Sequence, residues 1–169
     1  MDEVIHIAKI LAQAQDLLRC GKIGNSMVRK SAIIGTPMEI LTLKGDLHSW
    51  FVPVTLGDRL AGFFQFLSDL TLMRYSSFQR RDDSIEGCPA ADSWLDEETI
   101  RHLAQKNARP GETVENTFLT FDRTPSRLAW AAVLTSADGK KRTLHIAGQT
   151  VWEATKTDND AESFAGHLS

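Results

Sequence analysis

The chain has 169 residues, of which 42% are apolar and 24% charged, and its formal net charge is −3. This length provides a substantial core for one domain or for two small units, and the acidic balance argues against a dedicated nucleic-acid binder. The longest apolar runs are interrupted by Gly, Gln or Asp, so we expect neither a secretory signal nor a membrane-spanning segment.

The first predicted element is an amphipathic helix over residues 4–20. Its apolar residues recur at helical spacing, and Gly21 and Gly24 end the run. The stripe expected to face the core consists of Val4, Ile7, Ala8, Leu11, Ala14 and Leu18, widened by Ile10 and Leu17. The pattern over residues 25–37 is ambiguous between helix and strand.

Residues 38–78 are predicted to form a meander of antiparallel strands. Short β-rich runs alternate here with two-residue turns of Gly, Asp or Ser, which is typical of hairpins. The runs cover residues 38–43, 49–55, 60–67 and 70–78, and the turns are Gly45-Asp46, Gly57-Asp58 and Ser68-Asp69.

The hairpin around Gly57-Asp58 is predicted to be apolar on both of its faces. An uninterrupted ladder from a two-residue turn places Val52 opposite Phe63. A sheet half-exposed to water alternates apolar and polar residues, so one face of this hairpin needs a further cover. Three covers are possible. The helices and the second meander could take one face each, a second copy of the chain could cover the remaining face, or that face could bind a ligand or partner. The candidate interface residues on that face are Phe51, Phe64 and Phe66.

The second half of the chain repeats the order of helix and meander. After a polar loop over residues 80–92, Asp96 is predicted to cap a helix that ends at Pro110-Gly111. A hairpin turn at Asp138-Gly139 joins two of the strands that follow. These strands cover residues 117–121, 127–135 and 142–146, with a short return at 150–154.

Together these elements predict an α+β fold built from antiparallel sheets and helices. The predicted organisation is one unit over residues 1–92, a second over 93–156 and a polar tail over 157–169, with a single compact domain as the alternative. A shift of the chain by about eighty residues places Trp50 on Trp130, which favours two tandem α-β-β-β units. The competing interpretation is that any two hairpins of similar length align equally well.

Residues 96–154 resemble a PepSY-type unit. The resemblance rests on an acidic helix cap, a Pro-Gly stop, an Asp-Gly hairpin and a last short strand after a Gly turn. These features are Asp96-Glu97-Glu98, Pro110-Gly111, Asp138-Gly139 and Gly148-Gln149-Thr150-Val151. The resemblance implies a mostly non-catalytic module that binds or restrains other proteins, and it carries over no catalytic residue. PepSY modules are usually secreted or membrane-linked, whereas we expect no signal peptide in this chain.

No catalytic residue, metal site or cofactor is predicted. None of the five histidines has a His or Cys at the spacing of a zinc site, and no nucleotide-binding or hydrolase motif occurs. Cys20 and Cys88 are far apart in sequence, which predicts two reduced thiols and a cytoplasmic protein.

The candidate ligand-binding residues are polar groups of the first meander. Asp46 and His48, beside Ser49, combine a carboxylate with an imidazole, as acid–base chemistry requires, although such residues are also common in turns. Arg74, together with Arg80 and Arg81, could bind an anion. The adjacent Asp82 and Asp83 could instead neutralise these charges. The full candidate set is Asp46, His48, Gln65, Arg74 and Tyr75.

These observations favour a non-enzymatic binding or regulatory module, acting on a protein partner or as a homodimer through its sheet surface, with no nucleic-acid or membrane partner. The alternative is a small-molecule-binding protein, or a small enzyme, with a pocket between helix and curved sheet. A pocket that brings together two or more of the candidate polar residues would favour the alternative, and a filled core would favour the binding module.

Overall fold

A computed structural model describes residues 2–21 and 23–154, with only the backbone described for Asp2 and Glu3. The predicted polar tail, residues 157–169, lies outside this part. The helices are α1 (Asp2–Arg19), α2 (Ser26–Ser31), α3 (Asp92–Leu95) and α4 (Glu97–Lys106). The strands are β1 (Ile33–Ile34), β2 (Met38–Leu41), β3 (Leu47–Leu56), β4 (Arg59–Leu67), β5 (Leu72–Ser77), β6 (Thr113–Phe121), β7 (Leu128–Thr135), β8 (Lys141–Ala147) and β9 (Thr150–Glu153).

The chain divides into two compact units, and each combines helices with sheet. The first unit holds residues up to 39 together with 48–92, and the second holds residues 40–47 together with those from 93 onward. Strand pairing is antiparallel apart from β2 and β6, which run parallel through Ile40 and Leu119. The predicted α+β class is therefore confirmed, with sheet that is mostly antiparallel but mixed.

In the first unit, α1 buries most of the predicted stripe but not its N-terminal part. Ile10 and Ala14 are fully buried, whereas Val4 is 70% exposed and Ala8 is also exposed. The ambiguous segment after α1 forms α2, whose N-terminus is capped by Asn25: the Oδ1 atom accepts from the Val28 N–H at 3.0 Å. Such a cap satisfies a backbone donor that has no partner within the helix.

A β-bulge in the hairpin of β3 and β4 changes which residues share a face. The turn pairs Leu56 with Arg59 as predicted, but the register shifts beyond Thr55, so that Val52 lies opposite Phe64 and not opposite Phe63. A shift by one residue moves every following side chain of one strand to the other face. Phe64 and Phe66 consequently join the face that packs under α1. The core on that face contains Ile10, Ala14, Leu18, Val28, Trp50, Val52, Val54, Leu56, Ala61, Phe64 and Phe66.

The prediction that Phe51, Phe64 and Phe66 form an interface surface does not fit this arrangement. All three side chains are fully buried within the chain. Phe64 and Phe66 belong to the helix-covered core, and Phe51 stacks on Phe63 with ring centroids 4.7 Å apart. The bulge moves Phe64 and Phe66 to the other face of the hairpin, whereas Phe51 stays on its predicted face of β3 and is buried there.

In the second unit, β6 to β9 form an antiparallel meander and α4 packs on one of its faces. Ile100 and Ala104 of α4 are fully buried. Asp96 occupies the predicted N-cap position, but its side chain accepts from Thr99 Oγ1 at 2.8 Å and makes no hydrogen bond to the helix backbone. The short helix α3 was not predicted, and its Trp94 carbonyl accepts from the Trp130 indole N–H at 2.8 Å.

A partly buried ion pair fixes the turn that follows α4 to strand β8. Glu112 accepts two hydrogen bonds from Arg142, at 2.7 and 2.8 Å, and one from the Arg109 N–H at 2.7 Å. These contacts, led by the Arg142 hydrogen bonds, lower the pKa of Glu112 to about 2. Bidentate pairing of this kind combines charge with fixed geometry.

Among the described residues, no helix combines the length and apolar character needed to cross a bilayer.

Candidate functional site

Three of the five candidate ligand-binding residues come together on neighbouring strands of the first unit. Gln65 on β4 lies directly opposite Arg74 on β5, and opposite Phe51 on β3. Because alternate residues of a strand share a face, Ser49 of β3 lies on the same face as Gln65 and Arg74. This is the face away from the α1 core, and His48 joins it through a hydrogen bond to Ser49.

The four polar side chains form one hydrogen-bonded chain, which we call the polar relay. The Arg74 Nε–H donates to Gln65 Oε1 at 2.8 Å, and Gln65 Nε2 donates to Ser49 Oγ at 3.0 Å. Ser49 Oγ lies 2.9 Å from His48 Nδ1. Arginine has no acceptor, so its contact fixes the orientation of the Gln65 amide. The Ser49 hydroxyl hydrogen can then be donated to a neutral His48.

Burial acts on both ends of the polar relay. Ser49 and Gln65 are fully buried, while His48 and Arg74 keep part of their surface in solvent. Burial lowers the pKa of His48 below 6.5, which agrees with a neutral imidazole that accepts from Ser49. Burial also lowers the pKa of Arg74, although a guanidinium stays protonated at neutral pH. The relay therefore holds a positive charge at a partly desolvated position.

Aromatic rings lie beside the charged end of the polar relay. The Arg74 guanidinium lies 5.2 Å from the centre of the Phe63 ring, within the range of a cation–π contact. Phe63 in turn stacks on Phe51 and lies 5.8 Å from the ring of Phe78, which keeps part of its surface in solvent. A guanidinium against aromatic surface can bind an anionic group that carries an apolar body.

The other two candidates lie elsewhere. Tyr75 pairs with Phe64, whose ring centre is 4.9 Å away, and so points to the opposite face from the polar relay. Its hydroxyl is buried and has no hydrogen-bond partner among the described residues. Burial, together with the nearby Cys88, raises the pKa of Tyr75 to about 12. Asp46 is exposed at a turn that belongs to the second unit.

Tyr75 also explains a glycine in β4. A Cβ atom placed on Gly62 would lie 2.5 Å from the Tyr75 hydroxyl and 2.6 Å from the Ser76 carbonyl oxygen. Only glycine fits so close an approach of side chain and backbone. Tyr75 is therefore a packing residue of the helix-covered face and not a member of the site.

Sequence reasoning missed the aromatic part of the site. Phe63 and Phe78 were not singled out, because an uninterrupted ladder places Phe63 on the other face of the hairpin. The one local signal of the bulge is Gly62, because a glycine inside a strand often marks a bulge or a close approach. Once the register is known, alternation along three strands is enough to bring Ser49, Gln65 and Arg74 together.

The described residues contain no group of three or more His, Cys, Asp or Glu side chains arranged to hold a metal ion. Both cysteines are free thiols, with Cys20 exposed and Cys88 buried. Burial raises the pKa of the Cys88 thiol, which lowers its nucleophilicity at neutral pH.

Comparison with known proteins gave no match to a protein-family model, to a curated protein or to a solved structure. The resemblance of residues 96–154 to a PepSY-type unit therefore stays a prediction.

Proposed function

We propose that this protein binds a small organic anion with an apolar, aromatic body, and that Arg74 meets the anionic group. The observation that carries the proposal is the polar relay, which holds Arg74 through a hydrogen bond of 2.8 Å to the fully buried Gln65. A fixed guanidinium is suited to recognising carboxylate or sulfonate groups.

The composition of the polar relay supports binding over simple packing. Buried polar groups often contribute less to stability than well-packed apolar side chains of similar volume. Their presence in a core therefore favours a role other than stability. Ser49 and Gln65 are fully buried within sheet, where Val or Leu would pack without any need for partners. Burial also lowers the pKa of Arg74, so its guanidinium stands where water only partly screens its charge.

The surroundings of Arg74 indicate the rest of the ligand. Phe63 lies under the guanidinium, and Phe78 is in contact with Phe63 while it keeps part of its surface in solvent. Phe63 itself is only 5% exposed, so a ligand whose anionic group reaches Arg74 would place its body against the accessible part of Phe78. Flat aromatic bodies gain most from such a surface, because aromatic rings stack with favourable offset geometry.

This proposal follows the alternative of the two functions considered from the sequence. The polar relay joins His48, Gln65 and Arg74 by hydrogen bonds, and these are three of the polar residues named for a pocket of that kind. The surface expected for a homodimer, around Phe64 and Phe66, is instead buried under α1. A regulatory role, self-association through another surface, and a cytoplasmic location stay predictions.

A tandem origin of the two units also stays a prediction. Each unit places helix before a meander of strands. Trp50 and Trp130, which the eighty-residue shift aligns, lie on β3 and β7, each the first strand of a hairpin with a Gly-containing turn.

The experiment uses two fluorescent probes that share their aromatic rings and differ in charge. Anilinonaphthalene sulfonate carries an anion, and N-phenylnaphthylamine does not. We expect the wild-type chain to bind the sulfonate more tightly than the uncharged probe. Arg74→Met should lower the affinity for the sulfonate by about tenfold or more, which is about 1.4 kcal/mol. The uncharged probe should bind both chains alike.

Arg19→Met is the matched control, because Arg19 is exposed at the end of α1. This variant should bind both probes as the wild type does. Equal sulfonate affinity in wild type and Arg74→Met, or equal losses in both arginine variants, would contradict the proposal.

A further inference from the structure

The second unit contains another cluster of polar side chains, on the sheet face away from α4. Asp122 directly follows β6, and its backbone N–H donates to the Arg127 carbonyl at 2.8 Å, which closes the loop between β6 and β7. His145 and Trp152 are direct cross-strand partners on β8 and β9. Their ring centres lie 5.6 Å apart.

The two carboxylate oxygens of Asp122 have different surroundings. Oδ2 accepts from the Trp152 indole N–H at 3.1 Å and lies 3.5 Å from Arg127 Nε. Oδ1 is completely buried, and no residue in the described part of the chain donates a hydrogen bond to it. The whole residue is only 3% exposed. Buried polar oxygens in folded proteins almost always have a donor, so this oxygen calls for one that the chain itself does not supply.

The neighbours of Asp122 indicate which kind of donor is missing. Arg127 already supplies the positive charge that balances the carboxylate, and its guanidinium also lies 5.7 Å from the centre of the Trp152 ring. A second cation would leave an excess of positive charge. Oδ1 therefore calls for a neutral N–H or O–H group.

The same face indicates the shape of the group that carries this donor. Trp152 presents a large ring beside Asp122. Trp152 keeps part of its surface in solvent, and the Arg127 side chain beside it is 60% exposed, so a flat aromatic body can stack against the indole from the solvent side.

We propose that Asp122 Oδ1 is a binding site for a neutral N–H or O–H donor on a small aromatic ligand, with Trp152 beside it. This site lies entirely in the second unit. It goes beyond the anion binding proposed at Arg74 and does not depend on it.

The test uses pairs of probes that differ only in the donor: indole and N-methylindole, phenol and anisole, benzamide and N,N-dimethylbenzamide. Binding to the intact chain is measured by ligand-observed NMR. In at least one pair, the donor-bearing member should bind the wild type about tenfold tighter or more, since a hydrogen bond to a buried charged acceptor discriminates to that extent. The absence of a preference in every pair overturns the proposal. A water molecule that donates to Oδ1 would give this result.

Variants then assign the preference to Asp122. Asp122→Asn should abolish it, and Asp58→Asn, a change at a carboxylate that is 94% exposed, should leave it intact. A preference that persists in Asp122→Asn overturns the proposal.

A second readout needs no variant and covers the case in which Asp122→Asn does not fold. The indole N–H signal of Trp152, which donates to the same carboxylate, should shift with the donor-bearing probe and stay in place with its methylated partner. An unchanged Trp152 signal at saturating probe overturns the proposal.

Discussion

Gln65 and Arg74 lie opposite each other on β4 and β5, and the Arg74 Nε–H donates to the Gln65 side-chain oxygen at 2.8 Å. This contact joins a fully buried amide to a guanidinium that keeps part of its surface in solvent. The nitrogen of the same amide donates to Ser49 Oγ, so the Gln65 side chain is fixed at both of its polar atoms. The charge of Arg74 is thus held in one place by groups deeper in the sheet.

Gln65→Met tests whether Gln65 positions Arg74. The substitution keeps the side-chain volume at position 65 and leaves Arg74 and its charge in place. It removes the oxygen that accepts from the Arg74 Nε–H. We expect affinity for anilinonaphthalene sulfonate to fall by about three- to tenfold, or about 0.7–1.4 kcal/mol, which is the range of one ordinary hydrogen bond, and affinity for N-phenylnaphthylamine to stay constant. Fluorescence titration measures both. A parallel loss of both probes would assign Gln65 a general structural role.

Tyr75 should ionise far above its ordinary pKa. It is the single tyrosine of the chain, so the near-ultraviolet absorbance of tyrosinate reports on this residue alone. We expect a midpoint near pH 12 in the folded protein, against 10.0 for a solvated tyrosine. Because the folded pKa is raised, the stability linked to the neutral phenol is complete below pH 10 and is lost as the pH rises toward about 12.

Tyr75→Phe is the matched variant for this titration. Its stability should not decline in that alkaline window as that of the wild type does. At neutral pH it should be as stable as the wild type or slightly more stable, since the buried hydroxyl has no hydrogen-bond partner to lose among the described residues. A midpoint near pH 10, or a large loss of stability in Tyr75→Phe, would contradict the packing of this side chain.

Phe64→Ala should act on stability and not on assembly. Phe64 is fully buried in the core under α1, and truncation of such a ring costs about 3–5 kcal/mol of unfolding free energy. Denaturant unfolding and light scattering measure the two effects. Ile33→Ala, at a residue that is 69% exposed, should change stability by no more than about 0.5 kcal/mol. If Phe64→Ala changes the solution mass with little loss of stability, the result would contradict the buried position of Phe64 and support the predicted interface.

Glu112 should contribute to the loss of stability in acid. Its hydrogen bonds from Arg142 and Arg109 lower its pKa from 4.5 to about 2. With a depressed folded pKa, the contribution is present above pH 4.5 and is lost as the pH falls toward 2. Glu112→Gln should therefore be less stable than the wild type at neutral pH and should show a shallower decline over this range. Glu98→Gln, at an exposed carboxylate, should follow the wild-type curve in unfolding experiments across pH.

The sequence predicts the elements of this fold better than it predicts their faces. Helix and strand periodicity located α1, α4 and most of the strands, since these signals are local. The bulge near Ala61 is set by how two strands meet in space, and it alone reverses the assignment of Phe64 and Phe66. The stripe of α1 was predicted for the most part, but Val4 and Ala8 are exposed, because the extent of the sheet decides how much of the helix is covered.

The site was predicted in part for the same reason. His48, Gln65 and Arg74 were named as polar residues in an otherwise apolar meander, which is a pattern that a sequence displays. Tyr75 was grouped with them because it adjoins Arg74, but neighbouring residues of a strand point to opposite faces. Asp122 gave no signal at all, since its significance lies in an oxygen enclosed by residues distant in the sequence.

The central claim, that Arg74 meets the anionic group of a ligand, is tested most directly by the Nε–H signal of Arg74 in the NMR spectrum of the nitrogen-labelled chain. The signal is assigned by its disappearance in Arg74→Lys. On titration with anilinonaphthalene sulfonate, we expect it to shift more than any other arginine signal and to stay in place with N-phenylnaphthylamine. A signal that does not move at saturating sulfonate would contradict the claim.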